Sequence, residues 1–424
     1  MRLEIEVGDN IATMRWLRAL YVSNGLAVGS LYGFVPVLLQ SKGFDPALVG
    51  LTTSLGSFAY TLALPAWGHV GDVISGPRRA LQLACIPAAV FALGLGAPLP
   101  VLAIIVCQMV LSAGGGPAMA LTDAMAVPEL ADPEREYARL RLLSSFGAAG
   151  GSMVFGLLYS ATGYLAAPVV YLVVMAATFV SAQFVSLGRD SERHRKARGV
   201  PENRPAGAPA RGRFGSVGEA FTVSPRLVAV LASVTLIFVG VMAAGTYMSL
   251  RISDLGGGPA EVGFTNGIGM ASEVPGLILA GWLIGRVGAR PVLAVSAVGF
   301  AACMASWIVI ADAVPIMISR FISGFFFSGI FVAFVLTIST MLPARLQSTG
   351  MTLFQAGCFG LGAILANLLG GILYQVAGPL GVFGGGAICC VIGGLIGLFA
   401  LPAKRPELAE EAEPAALVPM SLAG

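Results

Sequence analysis

Pro65-Ala-Trp-Gly68-His-Val-Gly-Asp72-Val-Ile-Ser-Gly76-Pro-Arg78-Arg79 is a short glycine-rich, charged stretch set between two long apolar runs. A degraded copy, Gly281-Trp-Leu-Ile-Gly285-Arg286-Val-Gly288-Ala-Arg290, follows roughly two hundred residues later. That offset is about half of the 424 residues. Repeats at half-chain spacing make the chain read as two related halves, each built from long apolar segments.

Composition says what kind of solvent those segments meet. Hydrophobic residues make up 56% of the chain and charged residues 11%, against about 25% charge in an ordinary soluble domain. There is too little polar surface to cover a water-facing globule. The 56 glycines suit helices that pack closely in lipid. No basic patch is interleaved with aromatics, so nucleic acid is not an expected partner. Cys85, Cys107, Cys303, Cys358, Cys389 and Cys390 all fall in apolar runs without C-x-x-C spacing, and read as packing residues. His69 and His194 fall in expected loops, so a metal or haem site within the membrane has few soft or imidazole ligands available. Three acids among residues 1–10 and a long first apolar run argue against a cleavable signal peptide.

A bilayer core needs about 20 apolar residues per helix. Twelve spans satisfy this, at about 16–39, 47–70, 80–96, 99–126, 140–162, 166–187, 227–250, 260–284, 291–311, 314–342, 348–376 and 380–401. The expected fold is an all-α membrane protein, twelve transmembrane helices in two pseudo-symmetric six-helix bundles. Residues 1–187 form the first bundle and 226–403 the second. Residues 188–225, with Arg193-His-Arg-Lys-Ala-Arg198 and several prolines, read as a flexible cytoplasmic linker whose basic run could meet anionic lipid. Residues 404–424 read as a disordered acidic tail. Arg15, Arg18, Arg78, Arg79, Arg135, Arg139, Arg286, Arg290, Arg345, Lys404, Arg405 and the linker all fall on one side, and only Lys42 and Arg251 on the other. The bias places both termini in the cytoplasm of a multi-pass protein of the cell (inner) membrane.

An ionisable group at mid-bilayer costs at least ~2.5–3.5 kcal/mol on insertion scales, so it needs a cavity or a partner. Asp123, Arg141, Glu273 and Arg320 stand out. Asp123 lies near the end of span 4 and Arg141 at the start of span 5, on antiparallel neighbours, so the two can meet. The alternative is that both are solvated helix ends. Glu273 lies deep in span 8, two residues before Pro275, which removes a backbone donor and is expected to kink the helix. Arg320 in span 10 is the charged partner available to it. A buried carboxyl beside a kink suits proton coupling; the competing reading is a structural Glu–Arg tie. Asn24, Tyr32, Gln108, Asn266, Gln355 and Asn367 could line a cavity, or could equally serve as helix–helix hydrogen bonds. Phe325, Phe326 and Phe327 could stack an aromatic solute, but fit lipid or a neighbouring helix as well.

The opening stretch resembles the loop between the second and third helices of major facilitator transporters, Gly-x3-Asp-Arg-x-Gly-Arg-Arg. Gly68, Asp72, Gly76, Arg78 and Arg79 carry the likeness, with Arg286 and Arg290 in the second copy. Val73 replaces an arginine, Gly76 comes one residue late, and Gly285 replaces the acid. Pro36-Val-Leu-Leu39, Asp123, Tyr137-x-Arg139-x-Arg141, Ser145-x-Gly147 and Ser272-Glu273-x-Pro275 are similar to the lactose-permease-like and phenylpropionate-permease-like branch. The resemblance covers nearly the whole chain. It implies that Asp123 and Arg141 contact the solute and that Glu273, with Asp123 as a second candidate, binds it or couples it to protons. Asn24, Tyr32 and Arg320 complete the candidate binding set. The branch's sugar-stacking tryptophan is replaced by Ala148, so a galactoside is not expected. Its span 9 arginine falls near Cys303, and its span 10 histidine and glutamate near Ser323 and Phe326, so that relay is missing.

The resulting expectation is a monomeric secondary transporter working by alternating access, with proton-coupled symport of an aromatic acid, nucleoside or sugar-like solute. Proton-antiport efflux of drugs or metabolites is the alternative, although two basic membrane residues do not suit cationic drugs. An integral membrane enzyme would need clustered acids or a nucleophile with its base, and the spans carry neither. No cofactor is expected.

Overall fold

The computed structural model describes residues 2–130, 132–185 and 213–401. The centre of the expected linker, with His194, and the tail beyond residue 401 lie outside the described residues. Among those described no strand is present. Spans 1 to 10 are Thr13–Ser41, Pro46–Ser75, Pro77–Gly96, Val101–Glu129, Glu136–Thr162, Tyr164–Phe184, Arg226–Asp254, Pro259–Val287, Ala289–Val309 and Ala313–Met341. The stretch Thr349–Ala400 contains two more. It is divided at Gly378, whose non-helical backbone (φ 59, ψ −146) precedes Pro379, giving span 11 (349–377) and span 12 (379–400). The protein is the expected all-α, twelve-span bundle.

Some local expectations change. Span 2 stays helical through Val70–Ser75 as a π-helix, so His69, Gly71 and Asp72 are helical rather than in a loop; the chain turns only at Gly76. Span 8 runs unbroken through Pro275. Within the stretch expected as linker, Arg213–Val223 is a helix. All six cysteines are free, and five are buried among apolar side chains.

The two-fold repeat is visible in the turns. Every positive-φ residue among those described is a glycine, and the six fall into three pairs: Gly43 with Gly256, Gly76 with Gly288, and Gly163 with Gly378. Gly76 (φ 78, ψ 156) and Gly288 (φ 91, ψ 164) occupy a region essentially closed to side-chain-bearing residues. Each opens the next helix, which is why glycine survives in the degraded copy of the sequence motif while the acid does not.

Lys42 and Arg251, the two cations on the wrong side of the charge bias, are also paired. Lys42 Nζ donates to the carbonyls of Leu95 and Ala97 at the end of span 3. Arg251 donates to those of Trp307, Ile308 and Ile310 at the end of span 9. Each cation satisfies orphan carbonyls at the negative end of a helix.

The halves meet mainly where span 5 crosses span 8 and span 2 crosses span 11. Both crossings are glycine to glycine: a Cβ on Gly156 would strike the backbone of Gly263, and one on Gly50 that of Gly371. Cross-half hydrogen bonds join Ser54 to Ile364, Ser249 and Asn266 to Gly33, Ala260 to Ser160, and Asn367 to Ser57. All lie towards the end that carries Lys42 and Arg251, where the two halves are sealed together.

Candidate functional site

A cavity of about 320 Å³ lies between the halves, beneath that seal. The first half contributes Tyr32, Ser57, Tyr60 and Gln108, and the second Thr246, Asn266, Arg320 and Asn367. Tyr32 ends the π-helical turn Val28–Tyr32. Thr53, Ser57 and Tyr60 recur on one face of span 2 at helical spacing. Gln108 is anchored through its Nε2, which donates to Ser112 Oγ at 3.2 Å. Arg320 lies against Gly269 of span 8, where the absence of a side chain leaves room for the guanidinium. Its Cζ stands 5.6 Å from the Trp307 ring centre, and Nη1 makes a long 3.5 Å contact to Ser323 Oγ.

Two lining atoms are buried and unpartnered: Gln108 Oε1, an acceptor from the first half, and Arg320 Nε, a donor from the second. The Tyr32 hydroxyl, beside Tyr171, also lacks a well-formed hydrogen bond. Buried polar groups are rarely left unmatched, and these two atoms belong to side chains that line one cavity from opposite halves. The lining contains no carboxylate.

The expected charges separate into two arrangements. Arg141 Nη1 lies 3.6 Å from Asp123 Oδ2, with the side chains 46% and 26% exposed. Asp123 also accepts from Tyr21 at 2.6 Å and Tyr137 at 3.2 Å. This cluster is well satisfied and does not line the cavity. Glu273 does not line it either, although Met270, one turn earlier on span 8, does. Glu273 and Arg320 attract each other electrostatically but form no ion pair within 4.0 Å. Ser328 of span 10 donates to the Glu273 carbonyl at 3.0 Å, tying the two helices together.

Asn24 donates to Thr122 Oγ1 at 2.8 Å and borders a second cavity of about 220 Å³ that shares Tyr32 and Gly116 with the first. Among the motif residues, Arg78 donates to the Val185 carbonyl at the end of span 6, Asp72 and Arg79 are exposed, and Arg286 lies 3.9 Å above the Trp282 ring. Phe327 packs on Phe238 and Phe331, and Phe325 on Phe321; none of the three candidate phenylalanines lines the cavity. Gln355 is exposed. Sequence reading omitted Ser57, Tyr60 and Thr246. The span 2 periodicity was the available signal for the first two; nothing comparable marks Thr246. No group of three or more metal-ligating side chains occurs among the described residues.

Comparison with known proteins bears on the family and the fold. The MFS_1 like family matches residues 15–384. A maltose permease of Geobacillus stearothermophilus is 27% identical over 394 residues, which covers 91% of this chain and 93% of that one. Among solved structures, the nucleoside transporter NupG superposes with a TM-score of 0.74 at 13% identity, covering 92% of this chain and 98% of its own. A point mutant of the same transporter gives 0.76 at 14%, covering 92% and 99%. A D-xylose-proton symporter gives 0.67 at 14%, covering 93% and 98%.

Proposed function

The chain belongs to the MFS_1 like family of transporters, and on that footing we propose that it carries a small sugar-like solute by proton-coupled symport, with the solute held in the central cavity. It is a multi-pass integral membrane transporter and not an enzyme. The observation that carries the proposal is a polar lining drawn from both halves, in which Gln108 and Arg320 each keep a buried polar atom without a partner. A solute that accepts from one and donates to the other bridges the halves, as alternating access between rocking bundles requires.

A sugar-like solute fits the lining best. A hydroxyl both donates and accepts, matching the amides of Gln108, Asn266 and Asn367 and the hydroxyls of Ser57, Tyr60 and Thr246. Tyr32 and Tyr60 offer apolar faces to a sugar ring. The volume lies at the lower end of the roughly 300–1,000 Å³ typical of ligand pockets, so the solute is small. A maltose permease among the relatives supports the same class.

Arg320 joins solute to proton. It lines the cavity and is attracted by the charge of Glu273 on the adjoining span 8. Protonating Glu273 removes that charge and frees the guanidinium to donate fully to the solute; losing the proton pulls it back. Asp123 and Arg141 stay outside this step, in a partly exposed cluster closed by Tyr21 and Tyr137. By the charge bias the Arg78/Arg290 end is cytoplasmic, with both termini there, in the inner membrane. The working unit is a monomer with lipid around it, since each half completes the cavity of the other within one chain.

Uptake by purified protein in liposomes tests this, with labelled maltose, glucose, uridine and phenylpropionate, with and without an inward proton gradient. The expected result is gradient-driven accumulation of a sugar, abolished in Arg320→Ala. Uridine or phenylpropionate uptake alone would overturn the sugar class, and sugar uptake indifferent to the gradient would overturn the coupling.

A further inference from the structure

Asn266 on span 8 and Asn367 on span 11 both line the central cavity and are each 5% exposed. Each also reaches into the other half. Asn266 Nδ2 donates to the Gly33 carbonyl and to Ser249 Oγ, both at 3.3 Å, and Ser249 donates to that carbonyl at 2.6 Å. Asn367 Nδ2 donates to Ser57 Oγ at 3.2 Å, while its Oδ1 accepts from Thr246 at 2.7 Å. Gly33 and Ser57 line the same cavity. Directly beyond them, towards the Lys42/Arg251 end, lie the glycine crossings of the seal.

We infer that Asn266 and Asn367 are at once solute ligands and the latches of that seal. A solute hydroxyl that accepts from their amides takes the donors away from Gly33 and Ser57, and the halves lose two of the hydrogen bonds holding this end shut. The distances single these two bonds out. At 3.2 and 3.3 Å they lie at the long edge of the N–H···O range, whereas Ser249 to Gly33 is short. The amide hydrogen bonds are therefore the links that a competing hydroxyl displaces most readily. Asn367 has one N–H and one lone pair left after Thr246 and Ser57 are served, so a group that both donates and accepts can dock before the latch opens. A solute lacking hydroxyls at those two points can enter the cavity but cannot release the seal, which makes the two asparagines specificity-determining at the opening step. The inference rests on the cavity being the solute site.

The test places spin labels on Leu102→Cys and Val314→Cys in an otherwise cysteine-free protein. Both positions are exposed, at the sealed end and in different halves. The distance distribution is read without solute and with maltose. Without solute, Asn266→Ala/Asn367→Ala is expected to raise the ratio of separated to sealed molecules about tenfold, since each hydrogen bond contributes a modest net stabilisation. Ser57→Ala, which removes an acceptor and leaves both asparagines in place, is expected to move the ratio in the same direction by less. It serves as the reference if the double variant does not fold. Maltose should lengthen the distances in the wild type and have no further effect in the double variant. Unchanged distributions in Ser57→Ala and the double variant would overturn the latch. Because these comparisons need no solute, they stand apart from the sugar reading: wild-type protein that ignores maltose while both variants shift would keep the latch and remove maltose as its key.

Discussion

The two halves share turns, glycines and helix caps, yet treat their charges in opposite ways. In the first half Asp123 and Arg141 are in contact, partly exposed, and backed by two tyrosine hydroxyls. In the second, Glu273 and Arg320 attract one another without touching, and Arg320 leaves a buried donor unmatched at the cavity wall. A satisfied pair in contact with water has nothing left to offer and little to lose. A guanidinium at a cavity wall with a donor still unmatched can change partners, which is what the proposed coupling of a proton to a solute demands. The difference is the reason the proposed coupling is assigned to the second half, although each half carries one acid and one base within its spans.

The sharpest way to break the comparison is to remove the bases. Arg320→Ala leaves Glu273 without the charge that attracts it and takes the guanidinium out of the cavity wall. We expect transport to fall more than about a hundredfold and the melting temperature to drop. Adding Glu273→Gln should restore the melt but not the transport. If Arg320→Ala transports normally, the second half is not where the chemistry lies.

Glu273→Gln alone should abolish accumulation against a gradient while leaving solute exchange across liposomes within a few-fold of wild type. Accumulation that persists with its normal dependence on external pH would remove Glu273 from the coupling.

The shared features should respond alike in the two halves. Arg251→Ala deprives three carbonyls of a cation and Lys42→Ala two. Charge-assisted bonds of this kind contribute about 1.5–3 kcal/mol each when fully formed, less where solvent competes. Both variants should melt earlier, Arg251→Ala by the larger amount, with KM unchanged. A raised KM in either would mean that the cap also shapes the cavity.

The smallest effect belongs to Arg141→Ala. A half-exposed ion pair contributes about 0–1 kcal/mol, so the melt should barely move and the uptake rate should fall by less than about tenfold. A loss matching that of Arg320→Ala would make Arg141 a direct solute ligand and cancel the contrast between the halves.

Much of this was legible in the chain. Twelve apolar runs of bilayer length, the repeat of Gly68–Arg79 at half-chain distance and the one-sided arginines dictate the fold, because lipid permits only helices whose backbone is satisfied internally. The candidates Asp123, Arg141, Glu273 and Arg320 stand out because charge inside apolar runs is rare. Their partition is not legible. Asp123 and Arg141 fall close together in sequence across one turn, and nothing local says that they turn away from the central cavity. The lining hydroxyls of Ser57, Tyr60 and Thr246 look like any polar residue in a helix.

The sequence by itself determined the number of spans, the two-fold repeat and which charges fall inside the apolar runs, since each follows from hydropathy and composition over a contiguous stretch. Only the tertiary structure decided which charge faces the cavity, that Lys42 and Arg251 are helix caps and not misplaced topology signals, and that two asparagines reach across the halves. Those outcomes depend on how helices distant in sequence are rotated and crossed, and that is set by packing at the glycine contacts between Gly50 and Gly371 and between Gly156 and Gly263.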